Sequence, residues 1–256
     1  MEQNEYTVGH GNLTLPHDVI NLPTQGVYYK SKKKSVKVGY LTAVDENILS
    51  DFNGTRSVNE TIILPLLRNK LFEHDLRPEE LLDGDVEAIL LFLRNTAFGP
   101  EYKVTVVDPK TNENFSTSVY LDELNYKKVE TSPNEHGLFE VTLPVSKKNV
   151  TLKLLSLSET IDLSKTLASY PSFRVAPTIT TKLNKHIVSL DGDTDRIKIS
   201  SFVESMPILD SKYIRKFLYS NEPRLDLSKE VIAPSGERVM VDITFGVEFF
   251  RPFFAL

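Results

Sequence analysis

The side chains able to do chemistry are scattered along this chain. The five histidines are His10, His17, His74, His136 and His186. No two of them sit four residues apart, and no H-E-x-x-H run presents two imidazoles on one helix face. They read as mostly exposed imidazoles rather than ligands, and a metal site would have to be assembled from distant residues. Asp191-Gly192-Asp193-Thr194-Asp195 places carboxylates where a calcium loop begins. The sixth position, which needs glycine for the sharp turn, is Arg196, and the twelfth, which needs a bidentate carboxylate, is Phe202. These acids are therefore expected in a turn and at a helix N-terminus, where negative charge is favoured.

The pairs Glu79-Glu80 and Asp83/Asp85 could in principle serve a hydrolase. Their place on a polar connection beside Gly84 predicts solvated acids instead. No Gly-rich phosphate loop or G-x-S-x-G elbow occurs. Without cysteine, disulfides and thiolate zinc sites are excluded. The run Lys30-Ser31-Lys32-Lys33-Lys34 could meet phosphate, but it suits a solvated hairpin tip that guards a β-edge. The segment Phe249-Phe250-Arg251-Pro252-Phe253-Phe254 supports two readings. Phe249, Phe250, Phe253 and Phe254 are candidate anchors at a partner interface, or a tail folded onto the chain's own core. No catalytic, metal or cofactor-binding residue is assigned.

At 256 residues the chain can bury a substantial core. A net charge of −5 argues against a broad nucleic-acid surface. No apolar run reaches the roughly 18 residues that span a bilayer, and the N-terminus Met1-Glu2-Gln3-Asn4-Glu5 lacks signal-peptide character. The expectation is a soluble, cytoplasmically made protein without a membrane anchor.

The elements that would position these residues are legible in part. Residues 1–18 are expected as a loose arm. Leu22–Tyr29 reads as a turn entering a strand, which the lysine run joins to a second strand carrying Val36, Val38 and Tyr40. Thr42 with Asp45, and Ser57 with Glu60, mark two helix starts. The second of these helices carries Pro65, which predicts a kink or a late start. Leu76–Leu82 is expected as a short helix. Asp85–Ala97 is the principal helix, so apolar through Ile89–Leu93 that it belongs at the centre. Gly99-Pro100 ends it and opens a strand.

Hairpins are expected over Tyr102–Val107 with Phe115–Leu121, and over Leu138–Leu143 with Val150–Leu155. Ser158 is expected to cap a helix ending before Pro171. Leu183–Leu190 has mixed periodicity. Helices follow near 194–204 and 210–220, and strands near Val231 and Val239–Phe245 bracket a turn at Pro234-Ser235-Gly236. The pattern is α+β: antiparallel hairpins packed with helices around a central apolar helix, with no doubly wound parallel sheet. Residues 19–175 are expected as a core domain, and 176–256 as a helical segment with a terminal hairpin and aromatic tail.

Several segments, in order, resemble the T4-type phage baseplate hub subunit family. They are Leu22-Pro23 with Gly26–Tyr29, Leu41-Thr42 with Asp45-Glu46, Gly84-Asp85 with Ala88–Arg94, and Gly99–Tyr102. Val188–Arg196 with Phe202-Val203, Met206-Pro207, Asp210-Ser211 and Gly246–Phe250 with Pro252 continue the series over about residues 19–254. The resemblance implies a structural subunit at or near the hub of a contractile-tail baseplate, made in the host cytoplasm and carried in the virion. It implies other baseplate and hub proteins as partners in a hetero-oligomeric assembly; no cofactor is expected, and the acidic net charge argues against nucleic acid. An assembly factor absent from the finished particle is the alternative, and a tail-associated hydrolase a more distant one.

One departure is specific. Relatives often carry C-P-x-C-G-like knuckles where this chain has Asp108-Pro109-Lys110-Thr111-Asn112 and Ala233-Pro234-Ser235-Gly236-Glu237. Ordinary turns are expected at both places.

Overall fold

A computed structural model describes residues 16–50, 57–171, 175–245 and 249. Among them are seven α-helices and nine strands, and every strand pair is antiparallel. The fold is α+β, as the sequence pattern indicates.

The first sheet pairs β1 (His17–Asn21) with β2 (Ser35–Gly39). The chain is thus in a strand by His17, inside the span expected as an arm. Val36 and Val38 are fully buried, so the alternation read in β2 holds. The expected strand at Val27–Tyr29 is instead a series of turns, with Gln25 N–H donating to Leu22 O (2.9 Å) and Val27 N–H to Thr24 O (3.1 Å). Gly26 permits this at φ +72°, and a Cβ there would lie 2.5 Å from Lys32 O. Burial of Leu22 and Tyr29 secures the coiled segment.

Helix α1 (Ala43–Ser50) begins at Thr42, whose N–H and hydroxyl donate to Asp45 Oδ2 (2.7 and 2.8 Å). A π-type turn over Asn59–Ile63 precedes α2 (Leu64–Lys70). The helical backbone runs unbroken from Val58 through this π-type turn into α2, so Pro65 lies inside one helical run, and the change from π to α winding accompanies it in place of a late start. The expected helix at Leu76–Leu82 shrinks to one 3₁₀ turn, Pro78–Glu80, between buried Leu76 and Leu81.

Helix α3 (Asp83–Phe98) is the core element, with Val86, Ala88, Ile89, Leu90 and Leu93 buried. Each such Leu or Ile side chain contributes about 1.5–3 kcal/mol by leaving water. Gly99 ends the helix at φ +76°, and β3 (Glu101–Val107) then pairs with β4 (Asn114–Tyr120).

Strands β5 (Phe139–Thr142) and β6 (Asn149–Leu152) form the next expected hairpin. Helix α4 (Leu157–Ala168) is capped by Ser156 rather than Ser158. The reciprocal bonds of a capping box need Glu three residues on, and Glu159 stands three after Ser156. The mixed pattern of Leu183–Leu190 is the junction of α5 (Thr178–His186) with β7 (Ile187–Leu190). Strand β7 adds to β6 and makes a three-stranded sheet that draws on both regions distinguished in the sequence. Helices α6 (Arg196–Ser205) and α7 (Ile208–Asn221) lead to the hairpin of β8 (Ser228–Ile232) and β9 (Arg238–Asp242).

Candidate functional site

The two turns singled out by the sequence meet in space. Asp108, at the end of the β3–β4 hairpin, accepts from Ser235 in the β8–β9 turn. Ser235 N–H lies 3.0 Å from Oδ2 and its hydroxyl 2.7 Å from Oδ1. The same carboxylate accepts the N–H groups of Lys110 (2.9 Å) and Thr111 (3.4 Å), as an Asx turn does. Loss of hydration would raise the Asp108 carboxyl pKa, but the Ser235 hydroxyl and these N–H donors hold it below the usual range. Both segments are turns, with Asn112 at φ +60° and Gly236 at φ +87°. A hydrogen-bonded carboxylate joins two hairpin tips that lie far apart in sequence.

A second cluster surrounds the start of α3. Asp85 is fully buried, contrary to the expectation of a solvated acid. It accepts Thr24 N–H (3.0 Å), the Thr24 hydroxyl (2.6 Å) and the Tyr29 hydroxyl, while Tyr29 Oη accepts Leu82 N–H (3.0 Å). Burial pushes its carboxyl up to about 6 against the pull of those donors. Its neighbour Asp83 turns to a different group: Arg224 is ion-paired with Glu87 and with Glu222 (3.1 Å), and Arg224 lowers the Asp83 pKa that burial raises. Glu87 is pushed up to about 7 by burial. Arg224 is held charged by the surrounding carboxylates, while each carboxylate recovers only part of its lost hydration from one shared guanidinium.

Asp83, Glu87 and Arg224 border a cavity of 310 Å³ whose other walls include Leu90, Leu157 and Phe245. A carboxyl with a raised pKa beside a cavity can signal a general acid. Here the Glu87 oxygens are taken by Arg224 and the Asp85 oxygens by Thr24 and Tyr29, so these two carboxylates serve different partners. Among the described residues no group of three or more His, Asp or Glu side chains could hold a metal ion.

The aromatic candidates divide. Phe249 is fully buried, its ring 4.6 Å from Phe245 and 6.0 Å from Tyr102 between centroids. Arg94 stacks on both Tyr102 and Phe249 and donates to Gly99 O (2.6 Å) and Glu101 O (3.0 Å). These bonds tie α3 to the Gly99 turn and to the first residue of β3. Phe249 therefore fills this chain's own core. Phe250, Phe253 and Phe254 lie outside the described residues.

The acidic loop serves turn and cap. Asp195 accepts Ile197 N–H (2.9 Å) at the start of α6, and Asp191 accepts Asn149 N–H (2.9 Å). In the lysine run, Lys33 pairs with Glu73 and with Asp75 (2.5 Å), and Lys32 donates to Val27 O and Glu135 O, so this tip is tied to the body. His186 is half-buried, with Nδ1 2.8 Å from Lys153 O, and burial lowers its pKa. His74 and His136 are exposed. His10 lies outside the described residues.

Sequence reasoning missed the buried ion pair of Lys70 and Asp45, both almost inaccessible to solvent. It also missed the inward role of Asp210, which accepts Val145 N–H (2.8 Å) and Ser146 N–H (2.9 Å). A lone acid in the first turn of an otherwise basic helix was the available signal for Asp210.

No helix among the described residues is long and apolar enough to cross a membrane. No curated protein and no solved structure gives a significant match to the chain. Residues 24–251 match a family model described as T4 bacteriophage base plate protein.

Proposed function

The chain belongs to the T4 bacteriophage base plate protein family, and from that premise we propose that it is a structural subunit of the baseplate hub of a contractile-tailed phage. Its work is assembly through contacts with other baseplate and hub proteins in a hetero-oligomer, not turnover of a substrate. It is made in the host cytoplasm and ends in the tail of the virion. The observation that carries this reading is the family match over nearly the whole chain. The internal chemistry agrees with it: the buried Asp85, Glu87 and Asp108 and the half-buried Arg224 are engaged in joining distant segments.

Within this proposal Phe250, Phe253 and Phe254 are the aromatic anchors offered to a partner, following a Phe249 that is part of the core. Mass spectrometry of purified virions together with density for the baseplate tests the assignment. Peptides of this chain in particles, and its density at the tail axis, are the expected result. Absence from mature particles, with accumulation in infected cells before tails form, refutes it in favour of an assembly factor. Peptidoglycan cleavage abolished by a single Asp or Glu substitution would instead revive a hydrolase.

A further inference from the structure

We propose that the outer face of α7 is a docking surface for an acidic, amphipathic segment of a partner protein. Ile208 and Leu209 are 74% and 63% exposed, Tyr219 is 65% exposed, and Tyr213 is also open to solvent. Lys212, Arg215 and Lys216 are exposed on the same helix. Among the described residues none of these three cations has a carboxylate partner. The single acid of α7, Asp210, is turned inward onto Val145 and Ser146. Ile214 and Leu218 supply the face that packs on the core. Lys127 adds positive charge toward the C-terminal end, its Nζ 3.4 Å from the centre of the Tyr219 ring.

Advancing about 100° per residue places all seven exposed residues on one continuous arc. On that arc Ile208 falls between Arg215 and Lys212, and Lys216 falls between Lys212 and Leu209. Apolar and cationic groups are therefore interleaved. A bilayer takes a helix with an undivided apolar face and cations at its margins, so it fits this arrangement poorly. A partner helix or strand that alternates apolar side chains with Asp or Glu fits it, because each desolvated contact has an ion pair beside it. Three unpaired cations on a chain of net charge −5 specify the sign of that partner. The surface deepens the proposed baseplate role by giving its partner a chemical class.

The test uses the full chain and a labelled synthetic peptide in which leucines at helical spacing are flanked by glutamates. A peptide of the same design with lysines replacing the glutamates is the control. Fluorescence anisotropy is expected to show a dissociation constant on the order of 10–100 µM for the acidic peptide, as suits one helix face. Binding should weaken with salt and be absent for the basic peptide. Lys212→Glu with Lys216→Glu should lower affinity at least about tenfold, the effect of losing roughly 1.4 kcal/mol. Leu209→Ser with Tyr213→Ser should do the same. Circular dichroism checks that both variants keep the fold. Absence of binding, or binding indifferent to these substitutions, overturns the proposal. So does preferential retention on phosphatidylcholine–phosphatidylglycerol vesicles, or self-association of the chain that the same substitutions abolish. The measurement uses isolated protein, so its failure leaves the virion assignment standing, and absence from virions leaves the docking chemistry standing.

Discussion

Replacing Gly84 by alanine sets two effects of opposite sign against each other. Alanine is better than glycine inside a helix by about 1 kcal/mol, so an unobstructed Gly84→Ala would stabilise α3. The added Cβ, however, would lie 1.9 Å from Pro223 O and 2.9 Å from Arg224 Cα and Cβ. Two of these obstacles are backbone atoms, so a rotamer change cannot relieve them. The 223–225 segment must move away from α3, although it is fastened by Lys127 N–H to Arg224 O (2.8 Å) and by the Arg224–Glu87 pair. Overpacking of this kind costs about 1–3 kcal/mol. Partial loss of the half-buried ion pair adds about 1–2 kcal/mol, well under the cost of breaking a fully buried one. The expected net loss is roughly 1–4 kcal/mol after the helix-propensity gain. With a urea m-value on the order of 3 kcal/mol/M, the unfolding midpoint followed by circular dichroism falls by roughly 0.3–1.3 M. The comparison is Gly99→Ala, which has open space around it and loses stability only through its φ of +76°, by about 1–3 kcal/mol. A Gly84→Ala midpoint equal to or above that of the parent chain refutes the close-approach argument.

Breaking the buried pair by Lys70→Ala leaves the Asp45 carboxylate with only its Thr42 donors and is expected to cost about 3–5 kcal/mol in urea unfolding. Lys70→Met with Asp45→Leu should recover part of that loss, since it also removes the two Thr42 bonds that start α1, and a double variant no better than Lys70→Ala would count against a stranded charge as the cause. Asp85 and Glu87 have folded-state pKa values near 6 and 7, above their ordinary 3.8 and 4.5, so the native state holds protons that the unfolded chain releases. Their contribution is complete below about pH 4 and is lost as pH rises through about 6 and 7. Asp85→Asn should flatten the fall in urea midpoint over that window, and an unchanged slope would show that Asp85 does not titrate there. The depressed carboxyls of Asp108, Asp191 and Asp210 act in the opposite sense, losing their contribution as pH falls through their lowered pKa values. Asp108→Ala should speed hydrogen exchange at the amides of Lys110, Thr111 and Ser235 together; acceleration at Lys110 and Thr111 alone would show that the two turns are not joined.

Elements carried by local signals were legible before any coordinates. The helix of Ile89–Leu93, its stop at Gly99-Pro100 and the hairpins around Val104 and Val239 follow from short-range periodicity and turn chemistry. Strand β7 was obscured because His186 ends a helix and Ile187 begins a strand with no breaker between them. Leu22–Tyr29 misled because its apolar residues are buried by turns rather than by a ladder. The site was least legible. Glu87 and Arg224 are separated by 137 positions, and Asp108 and Ser235 by 127. No spacing rule reaches across such distances, and the burial of Asp85 depends on Thr24 and Tyr29 arriving from another turn.

The Asp108–Ser235 joint also orders events in time. At a synthesis rate of about 5–20 residues per second, the Asp108 turn emerges roughly 6–25 seconds before the residue that completes it. Its local contacts form first: Oδ1 gathers Lys110 and Thr111 from its own turn, while Oδ2 and the remaining capacity of Oδ1 await the backbone and hydroxyl of Ser235. The first hairpin can thus hold its shape on the ribosome with local bonds alone. The later hairpin arrives at a receptor already set, so this junction closes near the end of translation.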